Sequence, residues 1–254
     1  TEACRDRAQA FYSQFVDTLH VVSRPAIAEM AKLLENTYRQ VNIALVNELA
    51  VHCNRMGIDI WEVVEAAGTK PFGFMRFVPG PGVGGHCIPI DPHYLSWKMR
   101  TLDYRARFIE VASDINAEMP AFVAGKVREA LNQGRKAVNG SRILVIGVAY
   151  KKDIDDVRES PAFDVMELLE KDGARLSYHD PYVPELHRDG EIMTSVELTD
   201  EQLQSCDVAV IVTDHSNVDL QRVLEIAPAV VDSRNATAGL PGSNGRPERW
   251  IVKS

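Results

Sequence analysis

Residues 142–148 have the sequence Arg-Ile-Leu-Val-Ile-Gly-Val, an apolar run of the length of a strand. The chain after this run alternates between helical and strand-like patterns: a helix at 162–171, a strand at 174–180, a strand at 208–213, a helix at 220–226 and a strand at 229–232. This alternation predicts an α/β fold with a parallel, doubly wound sheet of the Rossmann-like kind. Ligands of such sheets bind where the strands end, so the residues after each strand are candidates for a binding site.

Helical spacing dominates the chain before this sheet. Apolar residues recur at helical spacing over 26–56, with Pro25 in the first turn and Gly57 at the end. Such a helix spans roughly 45 Å, so we predict that it links domains or forms the seam of a homodimer. Further predictions are a helix at 2–16, a short strand at 19–22, a helix at 60–67 capped by Asp59, a helix at 94–99, a helix at 108–131 kinked or restarted at Pro120, and a final strand at 250–252.

The segment 77–97, between the predicted helices, is rich in glycine and proline, with four glycines and two prolines before Cys87. Glycine permits close backbone approach to a ligand and proline stiffens a loop. Cys87, with Asp91 four residues later, is typical of an activated nucleophile. A buried, inert thiol in a tight turn is the alternative for a single cysteine, but the glycines, His86 and Asp91 favour the nucleophile.

The motif at 80–92, Gly-Pro-Gly-Val-Gly-Gly-His-Cys-Ile-Pro-Ile-Asp-Pro, closely resembles the catalytic loop of the UDP-glucose/GDP-mannose dehydrogenase family. Its Gly-Gly-His-Cys form is most similar to the branch that oxidises UDP-N-acetylated sugars, UDP-N-acetylglucosamine or UDP-N-acetylmannosamine. Two other segments resemble family signatures: Ala-Glu-Met-Ala-Lys-Leu-Leu-Glu-Asn-Thr-Tyr at 28–38 and Val-Ala-Tyr-Lys-Lys-Asp-Ile-Asp-Asp-Val-Arg-Glu-Ser-Pro at 148–161. The resemblance covers nearly the whole chain.

The resemblance implies roles for individual residues. Those implied to be catalytic are Cys87, Lys32, Asn36 and Asp91. Those implied to contact the substrate are Arg76, Gly84, Gly85, Lys151 and Arg234, and Arg158 is implied to contact the cofactor. Lys32 and Asn36 lie four residues apart and share a helix face, although spacing alone would favour a solvated lysine and an unrelated asparagine.

The implied activity is the NAD-dependent, four-electron oxidation of the C6 alcohol of a UDP-sugar to a uronic acid, for the synthesis of a surface polysaccharide precursor. Cys87 would add to the aldehyde and form a thiohemiacetal and then a thioester. Because no strand here is followed by Gly-x-Gly-x-x-Gly, we interpret the chain as a fragment that is inactive alone. We predict a remnant of an NAD domain at 1–24, a central helical domain at 25–119 and a UDP-sugar domain at 120–254.

Three alternatives stay open. The sugar nucleotide could be UDP-glucose or GDP-mannose, because the residues alone do not distinguish them. The chain could also be a nucleotide-sugar-binding or dimerisation module without catalysis. A cysteine hydrolase that uses Cys87 and His86 is disfavoured, because adjacent residues rarely bring a nucleophile and its base within hydrogen-bond reach.

Composition sets wider limits. The chain has 254 residues, is 45% hydrophobic and 25% charged, and carries a net charge of −8, which argues against general binding to nucleic acid or to an anionic membrane. Its four cysteines lack the spacing of metal ligands, so we expect no metal site and a reducing, cytoplasmic setting. We also expect no signal peptide and no membrane span.

Overall fold

The computed structural model describes residues 1–188, 190–242 and 250–253. The helices are α1 (Glu2–Tyr12), α2 (Pro25–Met56), α3 (Ile60–Gly68), α4 (Cys87–Arg100), α5 (Arg107–Gln133), α6 (Pro161–Lys171), α7 (Asp200–Ser205) and α8 (Leu220–Ile226). The strands are β1 (Arg142–Ile146), β2 (Arg175–His179), β3 (Glu185–Arg188), β4 (Glu191–Thr194), β5 (Val208–Ile211), β6 (Ala229–Asp232) and β7 (Trp250–Lys253). A helical part is thus followed by an α/β part, as predicted.

In the described residues, five parallel strands form the main sheet in the order β2-β1-β5-β6-β7. Ile143 and Val145 of β1 belong to an apolar cluster that includes residues of α5 and α6, while Leu144 and Ile146 belong to a cluster that includes residues of α7 and α8. Successive side chains of a strand point to opposite faces, so a continuous apolar run suits a strand covered on both sides. The predicted doubly wound sheet is confirmed.

Helix α5 connects the two parts of the chain. It runs without interruption through Pro120, so the predicted restart is wrong. A proline inside a helix leaves the carbonyl four residues earlier without its usual donor, and here that carbonyl belongs to Asn116. A Cβ atom built at Gly82 would lie 3.5 Å from that oxygen, so the glycine-rich loop passes close to the gap in the helix. A domain boundary at 119/120 would fall inside α5 and stays a prediction.

Helix α4 differs most from the prediction, because it begins at Cys87 rather than at residue 94. Two prolines argued for a loop there, but a helix does not need the first four of its backbone N–H groups. Pro89 lies within that first turn and costs no hydrogen bond, whereas Pro92 lies inside the helix and leaves the carbonyl of Ile88 without its usual donor. The nucleophile candidate therefore lies at the start of a helix and not within a loop.

Smaller differences concern segments whose structure depends on neighbours. Helix α1 ends at Tyr12 instead of residue 16. Residues 19–22 form no strand, because no strand in the described part of the chain pairs with them. The antiparallel pair β3–β4 and helix α7 were not predicted. Thr199, whose side chain accepts from Gln202 N, caps α7, and this capping pattern was present in the sequence.

Candidate functional site

Cys87 is exposed and is the first residue of α4. Asp91 lies four residues later, so both residues are on one side of the helix. The amino end of a helix carries partial positive charge, which favours a negatively charged group at the position of Cys87. The spacing noted in the sequence is therefore one helical turn.

Two polar links fix α4 beside α2. Asn36, 3% exposed, donates from Nδ2 to Asp91 Oδ2 at 2.7 Å. One turn further along α2, Gln40 Nε2 donates to Ser113 Oγ at 3.0 Å, and that hydroxyl lies 3.2 Å from His93 Nε2. The structure thus brings the predicted residues Asn36 and Asp91 into direct contact.

Lys32 is exposed and lies one turn before Asn36 on α2. Cys87 likewise lies one turn before Asp91 on α4. The second link lies later than the first along both α2 and α4, so the two helices run in the same direction. Lys32 and Cys87, each one turn before a residue of the first link, therefore lie at the same end of the helix pair. No hydrogen bond or ion pair occupies the Lys32 ammonium among the residues that the structure describes.

The glycine-rich loop before α4 is held at both ends. Asn47 is fully buried, and its Oδ1 accepts from Gly80 N at 3.0 Å while its Nδ2 donates to Asn116 Oδ1 at 2.9 Å. At the other end, Gly85 N donates to Arg158 O at 2.9 Å. The loop therefore has one shape, fixed by α2, by α5 and by the segment 148–161.

Glycine is needed where the loop meets that segment. A Cβ atom at Gly84 would lie 2.6 Å from both Glu159 O and Tyr150 Cβ. Gly85 has φ of +85°, and a Cβ there would lie 2.8 Å from Tyr150 Cε2. Because glycine has no Cβ atom, the backbone of Glu159 and the ring of Tyr150 can lie against the loop. The substrate contacts predicted for Gly84 and Gly85 stay predictions.

Arg158 lies beside the loop that leads to Cys87. Its guanidinium bonds Asp156, with Nη2 to Oδ2 at 2.6 Å. The hydrogen bond to Asp156 raises the pKa of Arg158, the charge of that carboxylate raises it further, and Tyr150 and Cys87 add smaller contributions. Its backbone carbonyl accepts from Gly85 N, two residues before Cys87, so Arg158 lies beside the end of the loop. The cofactor contact predicted for Arg158 stays a prediction.

Basic side chains gather where the strands of the main sheet end. Asp214, after β5, lies 3.4 Å from Arg234 Nε, after β6, and 3.7 Å from Lys152 Nζ, after β1. A Cβ atom at Gly80 would lie 2.6 Å from Arg234 Nη1, so this arginine also abuts the glycine-rich loop. Lys151 is exposed in the same turn as Lys152. An arginine with nearby lysines suits a diphosphate, because the guanidinium fork binds two oxygens at once.

Arg76 is the predicted site residue that the structure does not join to the others. It is exposed, and its Cδ would lie 3.5 Å from a Cβ atom at Gly68, at the end of α3. Among the described residues, no hydrogen bond or ion pair connects it to another predicted site residue. The role of Arg76 in substrate binding stays a prediction.

A buried carboxylate supports the turn after β1. Asp180 accepts hydrogen bonds from five groups: Val148 N, Ala149 N, Tyr182 N, Val183 N and His215 Nε2. Burial by itself raises the pKa of Asp180, but the bond from His215 and the bonds from the backbone outweigh it, so this pKa is lowered. The carboxylate is therefore charged and structural.

Sequence reasoning missed Tyr150, Asp214 and His215. The last two follow strand β5, and polar residues at the carboxyl end of a parallel strand were the available signal. Within the described ranges, no cluster of three or more His, Cys, Asp or Glu side chains could hold a metal ion. None of the helices in those ranges is both long and apolar enough to cross a bilayer.

Two models of one protein family match this chain. The model of the UDP-glucose/GDP-mannose dehydrogenase family, central domain, matches residues 26–118, and that of the UDP binding domain of the same family matches residues 144–239. UDP-N-acetyl-D-mannosamine dehydrogenase of Methanococcus maripaludis is 34% identical over 238 residues, which cover 91% of this chain and 53% of that protein. The enzyme of the same name from Escherichia coli K12 is 36% identical over 222 residues, covering 85% and 52%.

Solved structures give the same result. UDP-D-ManNAc dehydrogenase from Pyrococcus horikoshii superposes with a TM-score of 0.83 at 33% identity, covering 98% of this chain and 57% of that one. A UDP-glucose dehydrogenase from Pyrobaculum islandicum has a TM-score of 0.82 at 26% identity, covering 100% and 56%. The chain spans about half the length of the curated relatives it matches. With both family domains matched in order and the fold shared, the chain belongs to the UDP-glucose/GDP-mannose dehydrogenase family.

Proposed function

We propose that this chain supplies the nucleophile and the UDP-sugar site of an NAD-dependent 6-dehydrogenase, which oxidises the C6 alcohol of a UDP-sugar to a uronic acid. The observation that carries the proposal is the position of Cys87, exposed at the start of α4 and reached by a loop that Asn47 and Arg158 hold at its two ends. A fixed loop with a reactive side chain at its end is what covalent catalysis on a bound sugar needs.

The residues beside Cys87 have complementary tasks. The sulfur would bond to C6 of the aldehyde and the carbonyl oxygen would become an oxyanion, which protonates to give the thiohemiacetal. The ammonium of Lys32 and the amide of Asn36 would stabilise that oxyanion. Asn36 engages Oδ2 of Asp91, which leaves Oδ1 free of other described residues to hold the water that later cleaves the thioester.

NAD, when bound, would accept the hydrides from C6. Among the residues described, Arg158 fits a contact with this cofactor, because it is an exposed cation whose backbone carbonyl bonds Gly85 N, two residues before Cys87. No strand of this sequence is followed by Gly-x-Gly-x-x-Gly, the motif that binds the NAD pyrophosphate, so Arg158 is the single contact proposed here.

The proposed substrate is a UDP-N-acetylhexosamine. The names of the Methanococcus maripaludis and Escherichia coli relatives, both UDP-N-acetyl-D-mannosamine dehydrogenases, support this choice. UDP-glucose is the second candidate, because the Pyrobaculum islandicum structure is a UDP-glucose dehydrogenase with nearly the same TM-score as the first neighbour. A cytoplasmic location is proposed as well, supported by four unpaired cysteines.

Calorimetric titration with UDP-N-acetylmannosamine, UDP-N-acetylglucosamine, UDP-glucose and GDP-mannose tests the proposal. We expect a UDP-N-acetylhexosamine to bind most tightly, and Arg234→Ala to weaken it about tenfold to a hundredfold, because charge-assisted hydrogen bonds contribute roughly 1.5–3 kcal/mol. Arg128→Ala is the matched control, since Arg128 pairs with Asp172, between the end of α6 and the start of β2 at the opposite edge of the sheet, and should not affect binding.

The C6 aldehyde of the same UDP-sugar separates catalysis from binding. Cys87→Ala should bind the alcohol within about threefold of the wild type, because the thiol forms no bond to it. The variant should lose the additional affinity that the wild type has for the aldehyde. Equal affinity of both proteins for the aldehyde would leave a nucleotide-sugar-binding module as the better description.

We also propose a homodimer through α2, supported by the apolar side chains that this helix exposes. Met30 is 50% exposed, Leu34 68%, Leu45 52% and Leu49 39%, and their spacing places them along one stripe. Soluble monomers rarely expose such a continuous apolar surface. Sedimentation equilibrium should give a dimer for the wild type and a monomer for Leu34→Asp, and a monomeric wild type would refute the proposal.

A further inference from the structure

His215 is a buried titratable residue to which the chemistry above gives no role. Its side chain is fully buried. Nδ1 accepts from Asp153 N at 2.9 Å, and Nε2 donates to Asp180 Oδ2 at 3.1 Å. Because Nδ1 receives a backbone N–H, the ring proton is assigned to Nε2, and the imidazole is the neutral tautomer. One ring therefore links the end of β2 to the turn after β1.

The turn that receives this bond has an unfavourable backbone conformation. Asp153 has φ of +62°, in the left-handed region that residues other than glycine rarely adopt. Its carboxylate accepts from Ser216 N and from Ser216 Oγ, both at 2.7 Å. Such conformations persist where the surroundings fix them, and here the segment 215–216 fixes both the backbone and the side chain of Asp153.

The turn presents Lys151, two residues before Asp153. Lys151 is exposed and has no hydrogen bond or ion pair among the residues described here, so the backbone of the turn alone sets where its side chain begins and where its Cα–Cβ bond points. Its neighbour Lys152 differs, because its ammonium lies 3.7 Å from Asp214. The fixed turn holds the backbone of this lysine where the ammonium can reach an anionic ligand, and a fixed backbone lowers the entropy lost on binding.

We infer that His215 is a positioning residue for UDP-sugar binding: through its Nδ1 acceptor it holds the turn at Asp153 and thereby aims Lys151 at the diphosphate. This inference rests on the proposed function, because it takes Lys151 as a contact of the UDP-sugar. It adds that UDP-sugar binding depends on the hydrogen bond that His215 accepts from Asp153 N, although His215 itself does not touch the ligand.

Two conservative variants separate the two bonds of His215. His215→Asn places an oxygen near the position of Nδ1 and keeps an acceptor for Asp153 N, whereas His215→Gln places an amide near Nε2 and keeps a donor for Asp180. We expect His215→Asn to bind the UDP-sugar within about threefold of the wild type and His215→Gln to bind about tenfold more weakly, as expected for one contact misplaced. His187→Gln, at an exposed position of β3, is the control.

Hydrogen exchange tests the same bond without a ligand. The amide of Asp153 should be protected in the wild type and in His215→Asn and unprotected in His215→Gln. Urea unfolding of both variants checks that each remains folded at the titration temperature. Wild-type protection of this amide in His215→Gln would overturn the inference, as would equal affinities of the two variants.

A double-mutant cycle with Lys151→Met completes the test. If His215 acts through Lys151, His215→Gln should weaken binding little further in the Lys151→Met background. Additive losses would overturn the inference. Full affinity of Lys151→Met would also overturn it while leaving the UDP-sugar site intact, and absence of binding by the wild type would instead refute the proposed function on which it rests.

Discussion

Replacement of Asp180 by alanine is expected to lower the free energy of unfolding by about 3–5 kcal/mol, the loss typical of one partner removed from a buried polar pair. The change removes the acceptor of four backbone N–H groups and of His215, and all of these donors are buried or half-buried. Each donor left without a partner costs part of its desolvation free energy. Urea denaturation of the purified chain measures the difference.

Asp155→Ala is the matched control, because Asp155 is exposed in the segment 148–161, whose start Asp180 supports, and has no hydrogen bond among the described residues. Its free energy of unfolding should stay within about 0.5 kcal/mol of the wild type, as for most surface substitutions. A loss below about 1 kcal/mol in Asp180→Ala would contradict the account, since the unpaired donors would then have found other partners.

The contribution of Asp180 also depends on pH. Its pKa in the folded chain is lowered, because the bonds from His215 and the backbone outweigh the effect of burial, and its unfolded value is about 3.9. A folded pKa below the unfolded one adds stability at pH above the unfolded value, and that stability is lost as the pH falls through the folded value. The stability difference between the wild type and Asp180→Ala should therefore be constant near neutral pH and shrink below about pH 4.

Gly84→Ala is expected to displace the glycine-rich loop and to cost about 1–3 kcal/mol of stability, as other over-packed sites do. It should also weaken the proposed UDP-sugar binding about tenfold or more, as expected for a loop moved by about 1 Å. The added methyl group would lie 2.6 Å from Glu159 O and 3.0 Å from Pro161 Cδ. The nearest atoms include backbone, which does not give way like the end of a flexible side chain. Thermal unfolding and calorimetry with the UDP-sugar measure both effects.

Gly125→Ala provides the opposite control. Gly125 lies within α5, and a Cβ atom there would meet nothing within 4 Å. Alanine is favoured over glycine inside a helix by roughly 0.8–1.0 kcal/mol, so this variant should be slightly more stable than the wild type and bind normally. Wild-type stability and affinity in Gly84→Ala would show that the loop does not pack as described.

The local sequence pattern was sufficient to predict those elements whose structure depends on residues close to one another in the chain. The apolar runs of β1, β5 and β6 predicted buried parallel strands, because strands between two helix layers need apolar side chains on both faces. Helix α2 was predicted within one residue at its start, since its spacing is periodic and Gly57 ends it with φ of +69°. The catalytic-loop resemblance fixed the family for the same reason: a long motif of consecutive residues is local information.

The order of residues alone predicted the fold class, the family and the candidate site residues, including Cys87, Lys32, Asn36 and Arg234. How these residues meet depends on tertiary packing: Asn36 bonds Asp91 across 55 residues, and His215 bonds Asp153 across 62. Such contacts depend on which elements pack together, which no local pattern specifies. The start of α4 at Cys87 belongs to this second group, because its loop is held by Asn47 and Arg158, residues that are distant in the chain.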